Sequence, residues 1–147
     1  MASFTFVREI RAPREVVFDL LTDHCGYADL TLLRRVDLER EGDPAPNGLG
    51  AIRVLHAVGP PLREEVIAYR PPSRFSYKVL SGLPVRGHVG TIELTEQGEG
   101  TQVVYAVRME PTIPVVGGAV VAGVRQGVKQ LLKGVASEAE RRAAAAS

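Results

Sequence analysis

The side chains with chemistry to offer are few: three histidines, one cysteine, and tyrosines, arginines and glutamates set among apolar residues. His24, His56 and His88 fall on separate elements, without the close spacing or cysteine partners of a zinc site. No metal is predicted. Cys25 follows His24 directly, but a thiol and its base must face one another to act as a catalytic pair, so Cys25 reads as a small packed residue. The glycines at 48 and 50 lead into a strand instead of following one into a helix, which removes a dinucleotide reading; no cofactor is expected. No serine stands in a nucleophile elbow. What remains is a set of polar groups on strands, Tyr77, His88 and Tyr105, and no catalytic constellation.

The elements that must position those groups follow from hydrophobic period. Ser3 to Arg11 alternates Phe4, Phe6 and Ile10 with charges, as a half-buried strand does. Pro13 then opens a helix of about ten residues, with Val16, Val17, Leu20 and Leu21 at helical spacing. Asp23 to Asp29 forms a second short helix or a turn. Six strands are predicted next: Leu33 to Arg40, Ala51 to Val58, Arg63 to Arg70, Phe75 to Leu80, His88 to Glu96 and Thr101 to Met109. Gly- and Pro-rich turns separate them, and connections this short dictate antiparallel pairing. After Pro111 the period becomes helical again. Val116, Val120, Val124, Val128, Leu131 and Val135 form one apolar stripe on the longest element. Helix segregated from sheet is the α+β arrangement, here one domain over residues 1–147 with a sheet of about seven strands.

Composition narrows the function classes. Eighteen Lys and Arg against seventeen Asp and Glu give a net charge of +1, which offers no broad attraction to nucleic acid. Residues 113–124 are apolar for about a dozen positions, short of the roughly 20 that span a bilayer, so no stable membrane insertion is expected. A lone cysteine forbids an internal disulfide, and residues 1–9 carry no signal-peptide pattern; a cytoplasmic protein is expected. A homodimer is compatible with the sequence, but nothing in it calls for one.

Three strings carry a family resemblance. APREVVFDLLTD resembles an Ala-Pro opening into an apolar helix that ends in Asp. GLGAIRVL and REEVIAYRPPSRFSYKVLSGLPV resemble a pattern of Gly-x-Gly-x-x-Arg, Arg-Glu-x-Val, Tyr-x-Pro-Pro and Tyr-x-Val. GEGTQVVY resembles a Gly-Thr-x-Val strand start before a long helix. In this order they resemble the START-like, or SRPBCC, superfamily and its polyketide cyclase/dehydrase proteins. The chain departs from many relatives in having no Trp. The resemblance implies a helix-grip fold: a curved antiparallel sheet around a long C-terminal helix, two short helices after the first strand, and an apolar cavity. It also implies that Arg53 and Glu64 are the family's Arg and Glu on adjacent strands, able to pair with donors left for a ligand. Alternation leaves open whether Glu64 or Glu65 faces inward, and a solvated surface pair is the other reading.

The long helix has a feature that asks for an explanation. Gly117, Gly118, Gly123, Gly127 and Gly134 lie on or beside it, and each internal glycine costs about 1 kcal/mol relative to Ala. Missing side chains on the inward face would leave volume for a ligand; close helix-to-sheet packing, with Gly117 and Gly118 in a preceding loop, is the plainer account. Together these give a candidate site. Its floor is Tyr77, Val79, His88, Ile92, Val103 and Tyr105, with Arg53 and Glu64 alongside; its roof is Val120, Val124, Gly127 and Leu131. The expected partner is a small hydrophobic or amphipathic molecule of the lipid, polyketide or isoprenoid class. The alternatives are a polyketide aromatase/cyclase, and a protein-interaction module with a filled core that docks through Val115 to Val121 and Ser81 to Pro84.

Overall fold

The computed structural model describes residues 2–23, 33–57 and 59–146. The chain runs β1 (Ala2–Ile10), α1 (Arg14–Thr22), β2 (Arg35–Arg40), β3 (Ile52–His56), β4 (Leu62–Arg70), β5 (Arg74–Ser81), β6 (Val85–Gln97), β7 (Gly100–Pro111) and α2 (Gly117–Ala146). The expected second short helix lies outside the described residues. Short turns between β2 and β7 leave only antiparallel neighbours, and β1 closes the order by pairing with β7. The result is one curved seven-stranded sheet in the order β1-β7-β6-β5-β4-β3-β2, the helix-grip fold. Gly117 and Gly118 belong to α2, not to a loop before it.

Alternation decides the inner face. Ile92 and Leu94 on β6, with Val103, Tyr105, Val107 and Met109 on β7, are all at most 3% exposed. Two register shifts in β4, at Arg63/Glu64 and Val66/Ala68, break the simple period on its partner β5. Ser76, which strict alternation turns outward beside Thr91, is nonetheless buried; its hydroxyl donates to the Gly90 carbonyl at 2.9 Å. Helix α1 buries Val17, Phe18 and Leu21 completely or nearly so, with Phe18 edge-on to Phe75 at 6.5 Å between ring centroids.

Burial along α2 is graded. Val135, Leu132 and Ala139 are sealed in the core, Leu131 and Val128 nearly so, Val124 and Val120 half-buried, and Val116, just before the helix, is exposed. The apolar stripe is continuous in sequence, but only its C-terminal half lies tight on the sheet and α1. Before Val128 the helix is buried only at Gly117, beside Pro111, and the cavity lies beneath the middle of the helix.

Candidate functional site

A cavity of about 340 Å³ occupies the space between the sheet and the middle of α2. Gly123 and Gly127 line it and are themselves exposed, and a Cβ built on either meets nothing within 4 Å, so close helix-to-sheet packing does not require glycine at either position. Val124, Val128, Gln130 and Leu131 complete the helix side. Opposite them, Leu33, Leu55, Ala57, Leu62 and Leu83 supply an apolar rim from β3, β4 and the connecting segments.

The polar floor is built by cross-strand pairing. Arg53 on β3 lies directly opposite Glu64 on β4, so both side chains leave the same face. Arg53 is 1% exposed and Glu64 5%, whereas Glu65 turns outward to Arg40 and Lys78; the inward residue is Glu64. Arg53 donates Nε–H to Glu64 Oε1 at 2.9 Å, and its Nη2 lies 2.9 Å from the same oxygen. Its Nη1 is buried with no hydrogen-bond partner. The guanidinium carbon sits 5.0 Å from the Tyr77 ring centroid and 5.2 Å from that of Phe75, so two aromatic faces support the buried cation. Burial pushes the Glu64 carboxyl up, and the Arg53 charge and hydrogen bond oppose that shift.

Tyr77 continues the row. Its hydroxyl and that of Tyr105 on β7 lie 2.5 Å apart across β6. The strand between them carries Gly90, directly opposite Tyr77 in register, and a Cβ at Gly90 would run into the Tyr77 ring. A side chain there would expel the tyrosine from the floor. His88 lies next along β6, its ring 6.1 Å from that of Tyr77 between centroids, and it is 4% exposed. Neither ring nitrogen has a hydrogen-bond partner, and burial lowers its pKa to about 4, so the imidazole is neutral at pH 7.

Of the twelve expected site residues, eight line the cavity: Arg53, Glu64, Tyr77, His88, Tyr105, Val124, Gly127 and Leu131. Four do not. Ile92 and Val103 are sealed in the core beside Phe75 and Leu94, their register partners, under the part of the sheet that α1 covers. Val79 is half-buried opposite Glu64, where the β4–β5 register shifts, and Val120 sits one turn of α2 beyond the lining. The leucines of the rim were not expected. Their signal, apolar residues at strand ends and in turns, does not distinguish a cavity from a core. His56 meets Asp37 at 3.0 Å on the outer side, away from His88, and His24 lies outside the described residues.

The comparisons with known proteins follow the same lines. No curated protein matches the chain. Among solved structures, a protein from Thermus thermophilus shares 27% identity over 99% of each chain, with a TM-score of 0.70. The ZhuI aromatase/cyclase of a Streptomyces species shares 22% identity over 96% of this chain and 94% of its own, with a TM-score of 0.77. A START superfamily protein from Mycobacterium smegmatis shares 14% identity over 95% and 97%, with a TM-score of 0.78. The sequence model of the family described as "Polyketide cyclase / dehydrase and lipid transport" matches residues 1–142. Fold, cavity and sequence agree, and the chain belongs to this polyketide cyclase/dehydrase and lipid transport family.

Proposed function

We propose that this protein encloses one small hydrophobic or amphipathic molecule, of the lipid, polyketide or isoprenoid class, between its sheet and α2. The observation that carries the reading is the cavity itself, about 340 Å³ with leucine and valine walls and one polar row on its floor. That volume lies at the lower end of the about 300 to 1,000 Å³ that holds a drug-sized ligand. A filled core, as an interaction module would have, does not account for it. No helix among the described residues is long and apolar enough to cross a membrane. The same reading has residues 1–147 working as one ligand-binding domain in the cytoplasm, supported by a lone cysteine that can form no internal disulfide. Native mass spectrometry of the purified protein, against the same sample denatured, tests it. A co-purifying small molecule, or uptake of an apolar dye by the apo protein, is expected; a clean apo mass together with no dye uptake would count against it.

A second reading, an aromatase/cyclase acting on a poly-β-keto chain, draws support from His88, whose two ring nitrogens are free to move a proton. A pKa of about 4 makes it a weak base at pH 7, which ranks this reading below simple binding. Turnover of a poly-β-keto thioester that His88→Ala slows without weakening binding would reverse the ranking.

A further inference from the structure

The charges on the cavity wall restrict what the ligand can be. Among its described lining residues only Arg53 and Glu64 carry full charge, and they neutralise one another at 2.9 Å. We propose that the ligand of this cavity presents an uncharged polar group, a ketone, alcohol or phenol, to the floor, and that a carboxylate is rejected. The inference rests on the ligand-binding reading above and narrows it.

Burying a carboxylate demands a counter-charge as well as hydrogen bonds. The cavity has no uncompensated cation among its described residues. Arg53 already gives two of its nitrogens to one Glu64 oxygen, so an anion brought to Nη1 would meet a guanidinium whose charge is already compensated, in a site of low dielectric. His88 adds no positive charge. What the floor does hold is neutral hydrogen-bonding capacity: the Nη1 donors of Arg53, and one donor and one acceptor on the imidazole, all buried and unpartnered. A carbonyl oxygen uses the donors, and a hydroxyl uses donor and acceptor together. Arg53, Tyr77 and His88 form a row along the wall, since Arg53 lies over the Tyr77 ring and the His88 ring lies 6.1 Å from it at a tilt, so the polar group and the apolar body of such a ligand have separate places.

The test uses shape-matched pairs on the delipidated full-length protein at pH 7: 2-acetylnaphthalene against 2-naphthoate, and 2-undecanone against decanoate, each displacing a bound apolar dye. The ketone of at least one pair is expected to bind at least about tenfold more tightly than its acid, a difference of about 1.4 kcal/mol. Equal or tighter binding of the acids, or dye binding that no member of either pair displaces, overturns the proposal and leaves the cavity reading standing. Failure of dye and ligands alike removes the cavity reading and this inference with it. Glu64→Gln gives a second readout, because it leaves Arg53 without its counter-charge: if that variant folds, the acids gain about tenfold relative to the ketones. An unchanged preference in the folded variant contradicts the role given to the pair.

Discussion

Arg53 and Glu64 stand directly opposite one another on β3 and β4, and both arginine contacts fall on a single carboxylate oxygen at 2.9 Å. The pair is sealed from solvent on the floor of the cavity. A buried pair of this kind is weak as a source of stability but costly to break, because the survivor is left charged in a dry site.

The two halves of the pair should not be equivalent. Glu64 can take up a proton when Arg53 is removed, and burial already raises its pKa; arginine cannot give one up. Glu64→Leu is therefore expected to cost about 3–5 kcal/mol and Arg53→Met clearly less. Urea unfolding of both variants and of the double variant measures the order. A larger loss for Arg53→Met contradicts it.

His88 predicts a pH dependence. Its folded pKa, about 4, lies below the value of 6.5 for an exposed imidazole, so the unfolded chain binds the extra proton in the window between them. The stability this neutral burial contributes is complete above pH 6.5 and is lost as pH falls toward 4, at a slope of at most about 1.4 kcal/mol per pH unit. Glu64, with its pKa raised, acts with the opposite sign, so the comparison to make is wild type against His88→Gln. Denaturant titrations from pH 7 to pH 4 should show a shallower acid loss in the variant. Parallel curves would mean that His88 is not held neutral in the folded protein.

Three glycines separate two structural roles. A Cβ at Gly90 strikes the Tyr77 ring, while one at Gly123 or Gly127 meets nothing within 4 Å. Gly90→Val is expected to displace Tyr77, break its contact with Tyr105 and destabilise the protein by about 1–3 kcal/mol. Gly123→Ala should instead stabilise α2 by about 0.5–1 kcal/mol. Thermal unfolding of both checks the contrast; a destabilised Gly123→Ala would show that α2 packs against the sheet at that point.

Much of this was legible in the sequence because alternation and helical spacing report burial directly. The seven strands, α1, the long α2 and the inward placement of Tyr77, His88 and Tyr105 all follow from period alone. Alternation alone leaves Glu64 and Glu65 equal as partners of Arg53, since two adjacent glutamates fit either register and the shift beside Glu64 is a property of the assembled β4–β5 pair; only the family resemblance pointed to Glu64. Ile92 and Val103 were placed at the cavity for the same reason that Tyr105 was: period gives the face of a sheet, but not where along that face a helix covers it. Gly90, a glycine inside a strand, is a signal of close approach that the sequence offered at the cavity floor.

The central claim is that the space beneath the middle of α2 receives the ligand. Gly127 lines that space, its missing Cβ leaves room, and a bulky residue there replaces a poor helix former. Fluorescence titration of an apolar dye into wild type and Gly127→Phe, with circular dichroism to confirm the fold, measures it most directly. Saturable binding to wild type, and a loss of affinity of at least about tenfold in a folded Gly127→Phe, is the predicted result. Undiminished binding by the folded variant would move the ligand out of the cavity and contradict the account.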